Sequence, residues 1–111
     1  MEVIPDRGDI WRVELDPTLG SEIRKTRPCV VISVKVLNER RRTVIVVPLS
    51  SSPKASPPIL IPISCEGQPA VAVSDQIRAV AKERLRSRLG IVTTDEMAAL
   101  EDGLRQIMQL G

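Results

Sequence analysis

Two uninterrupted aliphatic runs, CVVISV at residues 29–34 and TVIVVPLS at residues 43–50, most constrain what this chain can fold into. Apolar at successive positions and rich in β-branched side chains, such runs suit strands buried on both faces. Pro48, near the end of the second run, removes a ladder donor and points to a sheet edge or a bulge there. A further segment, DIWRVEL at residues 9–15, follows Gly8. It alternates Trp11, Val13 and Leu15 with Arg12 and Glu14, the pattern of a half-buried strand. ILIPI and AVAV flank CEGQPA, a Gly- and Pro-containing connection that suits a hairpin. IRAVAKERL suits strand or helix, with strand favoured over its first half. VLNERRR is a polar connection with room for a helical turn, and SSPKASPP is loop.

The C-terminal segment is helical. Thr93 and Glu96 have the spacing of a capping box. Met97, Leu100, Leu104, Ile107 and Met108 then follow at helical intervals, giving an amphipathic helix packed on the sheet. Gly103 inside it costs about 1 kcal/mol of helix propensity relative to alanine. The expected fold is mainly β with a C-terminal α-helix: five or six short strands in a small curled sheet, with residues 1–111 as a single domain. A chain of this length buries roughly 65% of its unfolded surface. That core is aliphatic, because the sequence has no Phe, no Tyr and one Trp, Trp11. Exposed sheet edges favour a symmetric dimer.

Charge is unevenly placed. Residues 1–92 carry 15 Lys and Arg against 10 Asp and Glu, whereas residues 93–111 carry one Arg against four acids. A basic body suits an anionic partner. Arg24, Lys25 and Arg27 crowd the end of DPTLGSEIRKT, an aperiodic loop of about ten residues, just before Pro28 and a strand. Cys29 and Cys65 follow apolar patterns and read as reduced, buried, small hydrophobes. No leader and no membrane-length apolar run is evident, so a cytoplasmic location is expected.

Histidine is absent. That removes the commonest general base near neutral pH, the usual nucleophile triads and most zinc sites. Neither GxxxxGK[ST] nor GxGxxG occurs, and no metal or cofactor is expected. Arginine, lysine, carboxylates and hydroxyls remain, and these suffice to cleave RNA. RNA carries its own nucleophile, the 2′-hydroxyl beside each phosphate. An enzyme need only align it, neutralise the charge developing on phosphorus and help the 5′-oxygen leave. The planar fork of arginine suits the second task.

RGDIWRVELDPTLGSEIRKTRPCVVIS resembles the opening of the MazF/PemK family of toxin endoribonucleases. The matching elements are Gly8-Asp9 before an aromatic-containing strand, Asp16-Pro17 with Gly20-Ser21-Glu22, and Arg27-Pro28 before an apolar strand. Downstream, VVPLSS resembles the family strand ending in a hydroxyl pair, Ser50 and Ser51, and AVSDQIRAVAKERL resembles its acidic-Gln segment, Asp75 and Gln76. The resemblance covers nearly the whole chain. It implies a small SH3-like β-barrel of the MazF/CcdB type, a homodimer, and metal-independent, sequence-specific cleavage of single-stranded RNA. The implied products carry 2′,3′-cyclic phosphate and 5′-hydroxyl ends. The implied partner is a MazE-like antitoxin whose acidic, disordered C-terminal segment lies over the RNA groove.

Position by position, the resemblance makes Arg27 the group that stabilises the scissile phosphate. It makes Ser50 a catalytic hydroxyl, where the family often has threonine, and Glu22 a loop acid that accepts a proton or a base donor. Asp75 and Gln76 would read bases, and Ser21, Arg24, Lys25 and Ser51 would contact RNA. Ile23, Arg24 and Lys25 stand where the family often has Gln followed by small residues, so cleavage specificity does not carry over. Two other readings compete. One is a gyrase-inhibiting toxin resembling CcdB, disfavoured because the chain ends RQIMQLG without a tryptophan. The other is an inactive binding module on the same fold.

Overall fold

The second aliphatic run becomes a strand over its full length, and the first becomes its antiparallel neighbour only as far as Val31, that strand starting earlier, at Thr26. The structure is a computed structural model and describes residues 3–15, 25–51 and 54–111. In chain order the elements are β1 (Asp9–Glu14), β2 (Thr26–Val31), α1 (Lys35–Arg40), β3 (Thr43–Ser50), β4 (Leu60–Cys65), β5 (Gln68–Val73), β6 (Arg78–Ala81), β7 (Leu85–Ile91) and α2 (Thr94–Met108). The strand order is β4-β5-β3-β2-β1-β7, and β6 also pairs with β3.

β3 is the hub. Val46, Val47 and Pro48 pair with Val31, Val30 and Cys29 of β2. Its other edge serves two partners, β6 along Thr43–Val46 and β5 at Leu49 and Ser50. Pro48 therefore lies in a central strand, and the expectation of an edge is corrected. It is tolerated where β3 changes partners, at the gap between the last pair with β6 and the first pair with β5.

The continuous apolar runs reflect burial on both faces. Ile10, Val30, Val47, Leu49, Ile61, Ile63 and Leu100 share one cluster, into which α2 packs. Trp11, Val13, Cys29, Val31, Val44, Val46 and Val80 form a second cluster, which contains no helical residue. Cys29 and Cys65 are free and buried, one in each cluster. Burial pushes the Cys29 thiol up to about 12, with a smaller opposing pull from Arg78.

Gly8-Asp9 turns out to be a structural corner. Gly8 has φ 94°, a left-handed conformation that suits glycine. Its N–H donates to the Val31 carbonyl at 2.8 Å and its carbonyl accepts from the Val92 N–H at 2.9 Å. The buried Asp9 carboxylate accepts from the Asp6 N–H at 2.9 Å and from Trp11 Nε1 at 3.2 Å, and pairs with Arg88 Nε at 3.1 Å. Asn38 is a second buried polar anchor. Its Nδ2 donates to the Pro5 and Ser33 carbonyls at 2.8 and 3.0 Å, and its Oδ1 accepts from Ser33 Oγ at 2.5 Å. This network holds α1, a helix of six residues in the connection where the sequence left room for a helical turn.

The described residues contain seven strands, more than the five or six expected. The extra one, β7, is a mostly exposed strand beside β1. Its Arg86 pairs with Glu14 and its Arg88 with Asp9. Charged side chains of this kind protect a sheet edge from further pairing. The capping box at Thr93 and Glu96 forms as expected, and Glu96 Oε2 also accepts from the Ser64 N–H of β4 at 2.7 Å. Met108, expected on the buried face, is 47% exposed beside the left-handed cap at Gln109. Among the described residues no helix is long and apolar enough to cross a membrane.

Gly103 is required by packing. A Cβ there would lie 2.7 Å from the Pro58 carbonyl oxygen and 3.1 Å from Ile61 Cδ1. Gly103→Ala should therefore destabilise the fold by about 1–3 kcal/mol, despite alanine's better helix propensity. Chemical denaturation of the two proteins checks this, and an unchanged or raised midpoint would contradict it.

Candidate functional site

Arg27 stands in β2 near its mouth, opposite Val13 of β1. Arg27, two residues before Cys29, and Ser50, two residues after Pro48, lie just beyond the last β2–β3 pair, Cys29↔Pro48, and line one cavity. Ser50 in turn pairs with Val71 of β5. Three strands thus bring together residues 21 and more positions apart in sequence. Between them lies a cavity of about 230 Å³.

Its apolar lining comes from Pro28, Leu49, Cys65, Pro69 and Ala70. Leu49, Cys65 and Ala70 belong to the α2-side core or pack against it, so the cavity is an open end of that core. Its polar groups are Arg27, Ser50, Ser51, Glu66 and Gln68. Arg27 is exposed and, among the described residues, takes part in no ion pair. By contrast Arg7, Arg12, Arg84, Arg86 and Arg88 each face a carboxylate. A forked cation beside two hydroxyls forms a site for an oxyanion, above all a phosphate. The same donors suit a metal ion poorly, since a guanidinium repels a cation.

The hairpin between β4 and β5 closes one side. Cys65 pairs with Gln68 across the two-residue turn Glu66-Gly67, with φ 52° and 76°. Left-handed conformations at both turn positions match the twist of the strands and hold the hairpin tightly. Glu66 stands 4.0 Å from Arg12 of β1, an exposed and long ion pair. Neither Glu66 nor Gln68 belongs to a family motif quoted above, and no spacing pattern announces them. Only their register beside Cys65 brings them to Arg27.

The other expected site residues divide. Arg27, Ser50 and Ser51 meet in the cavity. Lys25, with φ 66°, is exposed at the stem of the β1–β2 loop, where its carbonyl accepts from the Leu15 N–H at 3.0 Å. Asp75 and Gln76 are in a 3-10 turn, Ser74–Gln76, that packs near α2 and outside the cavity lining. Ser21, Glu22 and Arg24 lie outside the described residues. A larger cavity of about 670 Å³ sits at the opposite end of β3, lined by charged side chains alone: Arg40, Arg41, Arg42 and Lys82 with Glu39 and Glu83. Lys82 Nζ there donates to the Asn38 carbonyl at 2.7 Å, so that cavity reads as a solvated turn.

Cys65 reports on the cavity. Burial raises its thiol above the ordinary value, Glu66 raises it further, and Arg12 opposes both. Removing the Glu66 charge lowers the thiol pKa and increases thiolate at a given pH. Glu66→Gln should therefore speed alkylation of Cys65 and move its pH profile downward. Iodoacetamide labelling rates across pH 7–10 check this, and an unmoved profile would contradict it.

Comparison with known proteins identifies the family of this fold. The family model of PemK-like, MazF-like toxins of type II toxin–antitoxin systems matches residues 6–108. Endoribonuclease MazF9 of Mycobacterium tuberculosis is 34% identical over 118 residues, spanning 94% of this chain and 96% of its own. The endoribonuclease toxin MazF of Escherichia coli K12 is 31% identical over 99 residues, 88% of each chain. The crystal structure of MazF from Deinococcus radiodurans superposes with a TM-score of 0.89 at 22% identity, covering 98% of this chain and 100% of that one. A mycobacterial endoribonuclease in complex with its cognate antitoxin superposes at 0.79 and 23% identity, covering 96% and 97%. With a family model spanning nearly its whole length, two relatives above 30% identity and the same curled sheet, this chain belongs to the PemK-like, MazF-like toxins of type II toxin–antitoxin systems.

Proposed function

We propose that this protein is a metal-independent endoribonuclease toxin that cuts single-stranded RNA in the Arg27–Ser50 cavity. The observation that carries the reading is Arg27, exposed and without an ion pair among the described residues, beside the Ser50 and Ser51 hydroxyls. The relatives named endoribonucleases support the reaction class.

The 2′-oxygen of one nucleotide attacks the adjoining phosphorus and loses its proton to a base. The bond from phosphorus to the 5′-oxygen breaks, and that oxygen takes up a proton. The products are a 2′,3′-cyclic phosphate and a 5′-hydroxyl. Arg27 neutralises the charge that develops on the non-bridging oxygens, and Ser50 donates a hydrogen bond to one of them. Glu22, through its family position, is the candidate for the proton from the 2′-hydroxyl. Lys25, at the loop stem, adds attraction for the backbone. Asp75 and Gln76 would act on bases away from the cut, since they stand outside the cavity. The working unit is a homodimer, held inactive by an acidic, disordered segment of a small antitoxin that covers the basic groove. A mycobacterial relative solved with its cognate antitoxin supports that partnership. Neither gyrase inhibition nor an inactive module gains a specific observation.

In EDTA, the purified protein should cut a long unstructured RNA at discrete positions and leave cyclic-phosphate ends. Arg27→Ala should slow cutting by about 10²–10³-fold, the scale of losing one oxyanion donor. Arg27→Lys should remain well below the wild type, because a point charge lacks the fork. End mapping with timed single-turnover rates checks this, and cutting by Arg27→Ala within about tenfold of wild type would refute the role of Arg27.

A further inference from the structure

We infer that the β4–β5 hairpin makes Gln68 the residue that reads the base next to the cut, and that Lys54 holds the following phosphate. This rests on the RNA-cleaving reading above and deepens it. The cavity at Arg27 is not isolated. A second cavity of about 320 Å³ adjoins it and shares Ser51, Pro69 and Ala70 with it. The two form one groove. Arg27 stands at one end and Lys54 on the far section, while Pro69 and Ala70 lie between. Cation, apolar slot, cation is the order of phosphate, base and phosphate along a strand of RNA.

Single-stranded RNA is usually held by stacking bases on aromatic rings or on arginine planes. This chain cannot use the first device. Its single aromatic residue, Trp11, is 8% exposed and belongs to the other core cluster. A base in the slot must therefore rest on aliphatic side chains such as Pro69 and Ala70, which every base can do equally well. Discrimination then falls to hydrogen bonds at the rim. Gln68 is the rim side chain that offers a neutral acceptor and two donors together, and such a pair tells one base edge from another. Its mounting is rigid: the tight turn at Glu66-Gly67 and the pairing with Cys65 fix the strand that carries it. A specificity residue needs that rigidity. Gln68 also stands beside the phosphate site, whereas Asp75 and Gln76 do not.

The test maps cut sites in a random-sequence single-stranded RNA pool for wild type, Gln68→Ala, Gln68→Glu and Lys54→Ala, after thermal unfolding confirms that each is folded. Gln68→Ala should flatten the base preference at one position beside the cut by about five- to tenfold, the worth of one hydrogen bond. Gln68→Glu keeps the size but loses the donors, and should change which base is preferred there. Lys54→Ala should weaken binding of all sequences alike and reduce the log–log salt slope by about 0.7. Cutting by both Gln68 variants at wild-type sites, with preferences within about twofold of wild type, would overturn the assignment of Gln68. An unchanged salt slope would overturn that of Lys54. A wild type that cuts nothing would remove the underlying nuclease reading instead, and is distinguishable from either result.

Discussion

The structure depends on β3 being shared. One edge of this strand pairs with β2, while the other pairs first with β6 and then with β5. A strand that changes partners midway cannot lie in a flat sheet, so the sheet curls and gives two enclosed apolar clusters. The same change of partners creates the site. Where β3 leaves β6 and meets β5, Ser50 comes between Arg27 on one side and the β4–β5 hairpin on the other. The cavity is thus a product of topology, and its apolar lining is the core itself.

Two buried polar residues of this protein serve the frame, and Arg27, left exposed, differs from them. Asp9 and Asn38 spend their hydrogen-bonding groups on backbone, Trp11, Arg88 and Ser33. Asp9 is part of the sequence motif that resembles the toxin family, yet its geometry is that of a corner post. Arg27 takes the opposite course. It takes part in no ion pair among the described residues, the one carboxylate lining its cavity, Glu66, being paired with Arg12, and its other neighbours there are hydroxyls, the Gln68 amide and apolar side chains. A protein gains no stability from that arrangement, which is reason to assign it to binding.

Much of this was legible in the sequence because it rests on local pattern. The aliphatic runs identify β2 and β3, and the Thr93–Glu96 capping box marks the start of α2. What escaped depends on distant partners. LRSRLGI has too little apolar content to look like a strand, and becomes one because its backbone pairs with β1 while Leu85 and Leu89 pack against the two core clusters. Pro48 looked like an edge marker, and is central because the partner change leaves a gap beside it. Gly103 looked like a helix defect until the Pro58 carbonyl appeared against it. In the candidate site, family resemblance pointed to Arg27, Ser50 and Ser51, which line one cavity. Gln68 and Lys54 carry no motif, and their place emerges only when the hairpin and the groove are seen together.

The central claim is that Arg27 and Ser50 act on one phosphate because β3 sets them side by side. A double-mutant cycle of Arg27→Ala and Ser50→Ala tests it most directly, using single-turnover cleavage of one RNA in EDTA. Groups that stabilise the same developing charge are not independent. The double variant should lose far less than the product of the two single losses. Losses that multiply would mean that the two residues act at separate places, and would contradict a shared phosphate site.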